Sequence, residues 1–265
     1  MKPAPFEYVR PERMQGALEA LTEHGLDAKV LAGGQSLVPA MNMRLARPAV
    51  VVDVNHIDGL DSVTTENGSL SVRAAVRQSD RRLLAHPLLA EALPHVGHFV
   101  TRNRGTVVGS VAHADPAAEL PLCLALLEGS VLAWSLRGER AIPAASFFVA
   151  PYTTALEPDE LVAETRWPEP EEGDGLAFEE LAQRGGDFAL CMAAARARGD
   201  ELRVAIGAVV PQPTVLEVDP ERPGESAAAQ VEPWGSIHAS PAYLKQLVRV
   251  LVDRAVARAR ERAAA

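Results

Sequence analysis

Residues 29–45 read KVLAGGQSLVPAMNMRL. A short apolar run, Lys29 to Ala32, fits a buried strand and leads straight into two glycines. Ser36 to Leu45 then reads as helical, with Pro39 in the first turn, where a proline costs no intrahelical bond. Ala49 to Val54 (AVVVDV) is a second strand, so the double glycine sits at the bend of a strand–helix–strand unit. Glycines remove the Cβ atoms that would keep a ligand off the backbone. Successive N–H groups before a helix favour phosphate oxygens, and Ser36 adds a hydroxyl. No Lys-Ser/Thr follows, so this is not a P-loop, and the spacing is not G-x-G-x-x-G. By itself the stretch fits a structural turn as well as a phosphate cradle.

The chain has 265 residues and a formal charge of −9, which excludes the basic footprint of a nucleic-acid binder. No apolar run is long enough to span a membrane, and MKPAPFEYVRPERM has no apolar signal core, so a cytoplasmic protein is expected. Charge is uneven: Glu157 to Asp174 is acidic and Lys245 to Ala265 basic, read as solvated surface with a partner-facing tail as the alternative. Cys123 and Cys191 each lie in an apolar run and are expected to be buried free thiols. Two cysteines cannot hold an iron–sulfur cluster through four thiolates, so any such cluster belongs to another chain.

Further strands are expected at Phe6 to Val9, Val63 to Thr65 and Leu70 to Val76, the last two flanking an Asn67-Gly68 turn. Helices are expected from Pro11 to Gly25, Ser79 to His86 and Leu88 to His98. Phe99 to Ala114 lacks helical periodicity. Asp115 reads as the N-cap of a helix with Pro116 in its first position, ended by Gly129. Val131 to Leu136 and Arg140 to Ile142 form a hairpin. Beyond the acidic, Gly-rich PEPEEGDG boundary lie three strands, Leu176 to Leu181, Leu190 to Arg196 and Leu202 to Val210. A polar, Pro-rich stretch, Pro211 to Gly235, precedes a final helix capped by Ser240 with an apolar stripe from Leu244 to Ala255.

Thr101 to Pro121 (TRNRGTVVGSVAHADPAAELP) is a second stretch of open backbone, with Gly105, Gly109 and Ser110. Thr106, His113, Asp115 and Glu119 add polar groups. Glu119 suits ribose hydroxyls. His113 reads as a positioning group, since no nucleophile or metal partner is spaced near it. His95 and His98 lack a third ligand, and a helix C-terminal end accounts for them, so no metal site is assigned. Two Gly-rich cradles in one acidic chain point to one long bis-phosphate ligand touched from two sides, and a dinucleotide such as FAD fits.

Four stretches, in this order, resemble a known family. KVLAGGQSLVPAMNMRLARP and RNRGTVVGSVAHADPAAELP resemble the two FAD motifs of the FAD-binding medium subunit of molybdenum hydroxylases, of the aerobic carbon monoxide dehydrogenase and xanthine dehydrogenase type. RGGDFAL (184–190) and SPAYLKQLVRVLVDRA (240–255) resemble the opening motif and last helix of that family's C-terminal domain. The resemblance runs through nearly the whole chain. It implies an α+β fold: a two-subdomain, PCMH-type FAD-binding domain (1–55 and 56–175), then a CO dehydrogenase flavoprotein-like C-terminal domain (176–265) with a small three-stranded sheet and helices. It implies bound FAD, a small partner subunit with two two-iron two-sulfur clusters, a large partner subunit with molybdenum–pterin, and a dimer of heterotrimers. Electrons from substrate oxidised at molybdenum would pass through the clusters to FAD and on to an external acceptor.

Residue by residue, the resemblance puts Lys29, Val30, Leu31, Ala32, Gly33, Gly34, Gln35, Ser36 and Leu37 on the pyrophosphate side of FAD. Thr106, Gly109, Ser110, His113, Asp115 and Glu119 line the other side, and Leu161 and Phe188 come near the flavin. It assigns no proton-transfer base. Two positions depart from the pattern: Val108 stands where a glycine is usual, and Glu179 where xanthine dehydrogenase relatives carry Lys. Beside the electron-transfer subunit stand two alternatives, a stand-alone FAD-dependent reductase or oxidase on a similar fold and a scaffold protein that has lost FAD.

Overall fold

The structure is a computed structural model that describes residues 2–265. Its first unit is a three-stranded parallel sheet of β1 (Glu7–Val9), β2 (Ala28–Leu31) and β3 (Val50–Asp53), in the order β1-β3-β2. Helix α1 (Met14–His24) crosses between β1 and β2, and α2 (Leu37–Asn42) between β2 and β3. Val50, Val51 and Val52 are all buried, as a parallel sheet covered on both faces requires. The double glycine occupies the bend between β2 and α2.

A five-stranded antiparallel sheet follows. It contains β4 (Val63–Glu66), β5 (Ser69–Arg73), β6 (Ser130–Ser135), β7 (Gly138–Pro143) and β10 (Leu161–Pro168), in the order β4-β5-β10-β6-β7. Between β5 and β6 the chain forms α3 (Pro87–Ala92), α4 (Phe99–Arg102), α5 (Val107–His113) and α6 (Glu119–Leu126). After β7 come α7 (Ala144–Phe147) and a two-stranded ribbon, β8 (Phe148–Ala150) with β9 (Thr153–Thr154). The pairing of β10 with β6 slips between Val162 and Glu164, a bulge directly after Leu161 and Val162, which line the main cavity.

The last unit is an antiparallel sheet of β11 (Gly175–Ala182), β12 (Ala189–Arg198), β13 (Glu201–Gly207) and β14 (Thr214–Leu216). Helices α8 (Pro223–Ala229) and α9 (Pro241–Ala263) complete it. The three expected strands are thus joined by a short fourth at the edge. Strand β12 is packed on both faces. Met192 and Ala194 belong to the core shared with the preceding unit, and Cys191, Ala193 and Ala195 to a second core under α9. Small side chains let α9 come close: a Cβ on Gly175 would collide with the Ala259 carbonyl. The expected stripe of α9 is buried, and the Ser240 hydroxyl accepts from the Tyr243 N–H as its cap.

Several expected boundaries move. Pro94 stops the helix expected to reach His98, so α3 ends at Ala92. The 99–114 stretch, expected to be irregular, forms α4 and α5. Its β-branched residues hide the helix in the sequence, and burial of Val107, Val108 and Val111 secures it. Asp115 does not cap α6. It accepts from the Ala117 N–H in a turn that uses up Pro116, and α6 starts at Glu119. Within 211–235, expected to be irregular, β14 and α8 form, α8 with Pro223 at its start.

Candidate functional site

The bend after β2 carries a run of free backbone donors. None of the backbone N–H groups from Gly33 to Leu37 finds an acceptor among the described residues. Such a run of free donors at a helix start is what phosphate oxygens require. Gly34 takes a φ of +71°, a conformation that favours glycine. Gly33 is needed for another reason. A Cβ there would lie 2.5 Å from the Arg104 carbonyl oxygen and 2.6 Å from the Gly105 Cα, so only a bare backbone lets the loop meet the second Gly-rich stretch.

That second stretch is no open cradle. Thr106 is buried and caps α5 through its hydroxyl, which accepts from the Gly109 N–H at 3.0 Å. The amides of Val107 and Ser110 are bonded to Val76 and Thr106 carbonyls. Gly109 is required because a Cβ would crowd the Thr106 hydroxyl. Val108 faces the core, 2% exposed, at helical φ. No left-handed conformation is demanded there, so a valine replaces the usual glycine without backbone strain.

The two stretches meet at Gly33 and together line a cavity of about 850 Å³. Every residue expected at the cofactor lines it except Leu31. Leu31 instead packs its Cδ1 against Gly34. The cavity floor is Leu161, buried on β10, and at its mouth stands Phe188, 73% exposed in the turn between β11 and β12. Gly186 has a φ of +86° and lies against His98, which fixes this turn beside α4. Glu179 is not at the cavity. It faces α9 and receives a hydrogen bond from Arg258 at 2.6 Å.

The His113 ring lies against Tyr152, tilted 50° to it with centroids 5.2 Å apart, and Tyr152 Oη lies 3.4 Å from Asp115 Oδ2. Burial holds the His113 imidazole below its ordinary pKa, against the opposing pull of Asp115, so it is neutral at pH 7. Glu119 opens α6 at the wall with 6% exposure, and burial pushes its carboxyl up to about 7.

A set of residues behind the cradles was not singled out from the sequence. Asn55 Nδ2 donates to the Ala32 carbonyl at 2.8 Å, and Arg77 Nη1 donates to the Arg104 carbonyl at 2.5 Å. Arg77 Nη2 joins the two halves by donating to Asn55 Oδ1 at 2.7 Å. Asp53, which accepts from Tyr8 Oη, also accepts from Asn55. This clamp holds both Gly-bearing loops from outside the cavity. Asn55 follows directly after the β3 run, but nothing local in the sequence pairs it with Arg77.

A pocket of this size, with a run of free amide donors and both apolar and polar side chains in its lining, fits a dinucleotide. Comparison with known proteins agrees. Residues 4–170 match the model of the FAD binding domain in molybdopterin dehydrogenase, and the chain belongs to that family. It is the FAD-binding medium subunit of a molybdenum hydroxylase, an oxidoreductase. The chain is 35% identical over 287 residues to the 6-hydroxypseudooxynicotine dehydrogenase complex subunit alpha of Paenarthrobacter nicotinovorans, covering 99% of this chain and 97% of that one. It is 42% identical over 200 residues to the caffeine dehydrogenase subunit beta of a Pseudomonas species, covering 73% and 68%. Among solved structures, a chain of carbon monoxide dehydrogenase from Hydrogenophaga pseudoflava superposes with a TM-score of 0.93 at 31% identity, over 99% of both chains.

Proposed function

We propose that FAD lies along this cavity with its pyrophosphate on the free N–H groups of Gly33 to Leu37. The wall from Thr106 to Glu119 runs along the remainder, with Leu161 beneath and Phe188 at the mouth beside the flavin. The observation that carries this reading is the run of unpaired amides facing an otherwise well-bonded wall. Lys29 adds a cation at the same end, and Ser36 a hydroxyl. His113, neutral and in ring contact with Tyr152, is a positioning group. When bound, FAD supplies the redox chemistry, and the chain binds and orients it and keeps water from it. No side chain is assigned as a catalytic base.

In this reading the chain works in the cytoplasm between two partner subunits, a small one with two two-iron two-sulfur clusters and a large one with molybdenum–pterin, as a dimer of heterotrimers. Electrons reach FAD from the clusters and leave to an external acceptor. The relatives above, subunits of dehydrogenases by name, support it. The three larger sheets support a division near residues 55 and 175 into two FAD-binding subdomains and a C-terminal domain.

The test is an absorption spectrum of the chain purified alone and again after co-expression with its neighbouring genes. Flavin bands with releasable FAD are expected in the first, and iron–sulfur bands with two further chains in the second. A chain that stays colourless and refuses added FAD in both preparations overturns the proposal.

A further inference from the structure

The ribbon of β8 and β9 turns at Pro151 and Tyr152, with Ala150 paired to Thr153. Tyr152 has a φ of +56°. Proline followed by a residue at positive φ is the arrangement of a type II turn, whose third position belongs to glycine or asparagine. A bulky side chain is strained there. The backbone enforces it: the Tyr152 N–H donates at 2.9 Å to the carbonyl of Ala114, itself left-handed at a φ of +52°. The core does not use the ring. It is 61% exposed and lines the cavity. Among the described residues the only ring it meets is that of His113, which lines the cavity too. Its hydroxyl reaches Asp115 Oδ2 only at 3.4 Å.

We propose that Tyr152 is a contact residue for the flavin ring, and that the strained turn serves to present its phenol to the cofactor. Local backbone chemistry favours glycine at this position, and a ring left mostly in solvent stabilises the fold little. Strain of this kind persists where the surrounding structure holds it, and it clusters at ligand clamps. The placement of α5 decides which part of the cofactor is met. The donor loop reaches this helix at Gly109, where a Cβ would lie 3.8 Å from the Ala32 side chain. His113, with Tyr152 against it, is about one helical turn further on, at the C-terminal end. The same helix packs on both β9 and β10, so Tyr152 shares a side of the cavity with Leu161. That is the flavin end in the reading above, not the pyrophosphate end. Flat rings gain from aromatic side chains beyond the area they bury. Contact with His113 restricts the phenol before the cofactor arrives, which lowers the ordering cost of binding.

The inference rests on the cavity being the flavin site, and its test separates the two. The full chain is titrated with FAD while flavin emission is followed, and is melted without ligand. An excited flavin takes an electron from a touching phenol and loses its emission, whereas a benzene ring quenches far less. Tyr152→Phe is therefore expected to bind FAD as tightly as wild type, with the bound flavin several-fold brighter. Tyr152→Gly is expected to melt higher than wild type without ligand, because the turn is relieved. It should nevertheless hold FAD about tenfold more weakly. A ring that serves only the fold, or only a partner subunit, would leave emission unchanged in Tyr152→Phe and affinity unchanged in Tyr152→Gly, and either result overturns the proposal. A Tyr152→Gly chain that melts lower than wild type also overturns it, since the ring would then be supporting the fold. Wild type that refuses FAD sinks the function proposed above. Wild type that binds FAD, with both variants matching it, sinks this inference alone.

Discussion

Gly33 and Gly105 meet backbone to backbone: a Cβ on Gly33 would stand 2.6 Å from the Gly105 Cα. Two loops separated by some seventy residues of chain thus form one edge of the cofactor cavity, and their separation is set by a missing methyl group.

Gly33→Ala therefore forces the loops apart. The obstacle is the Arg104 carbonyl and the Gly105 backbone, not a flexible side-chain end, so relief requires main-chain movement. We expect a loss of about 1–3 kcal/mol in stability, the usual cost of overpacking, together with loss of bound flavin. Flavin content per chain and thermal melting decide it; full flavin content would show that the contact does not shape the site.

Arg77→Ala removes the bridge between the Arg104 carbonyl and Asn55 while leaving every cavity-lining side chain in place. Hydrogen bonds to a charged group contribute about 1.5–3 kcal/mol, so FAD affinity should fall by one to two orders of magnitude in a fluorescence titration. Arg77→Lys should recover only part of it, because an ammonium cannot reproduce the guanidinium's two-pronged geometry. Equal affinity in Arg77→Ala and wild type would reduce the clamp to scaffolding.

Val108→Gly restores the glycine usual at that position, yet it should harm the protein. It empties a core site that is 2% exposed and puts a glycine inside a helix. Together these should cost about 2–4 kcal/mol. At low temperature FAD binding should persist, since Val108 carries the wall by packing. A more stable Val108→Gly protein would mean that the valine is strained.

His86 is fully buried: Nε2 lies 3.0 Å from the Pro168 carbonyl, while Nδ1 has no partner. The ring is therefore the neutral tautomer with its proton on Nε2, and burial holds its pKa below the ordinary value. The unfolded chain takes up that proton first, near pH 6.5. Stability from this group is thus present above the unfolded value and is lost as pH falls toward the folded one. Compared with His86→Gln, which keeps a donor for Pro168, wild type should lose ground in denaturant titrations from pH 7 to pH 5. A constant difference across that range would contradict a neutral buried imidazole.

Much of the fold was legible because strand and helix periods are local. The β2–glycine–α2 bend, the Asn67-Gly68 hairpin and the stripe of α9 follow from neighbouring residues alone. The 99–114 helices were not legible, since Val107, Val108 and Val111 become helical only when the core takes them up. The Asp115 cap was misread for a related reason. An aspartate before a proline suits a helix start and a preceding turn equally, and the Ala117 amide settled which.

For the site, the sequence by itself determined the donor loop, its two glycines, and a set of residues of which all but Leu31 line the cavity. Backbone chemistry and side-chain type travel with the chain. Only the tertiary structure decided that the second Gly-rich stretch is a capped helix, that Leu31 packs against Gly34 instead, and that Asn55 and Arg77 clamp the loops. Each of these depends on contacts between segments distant in sequence, where burial and the reach of a charge are set by how the units pack together.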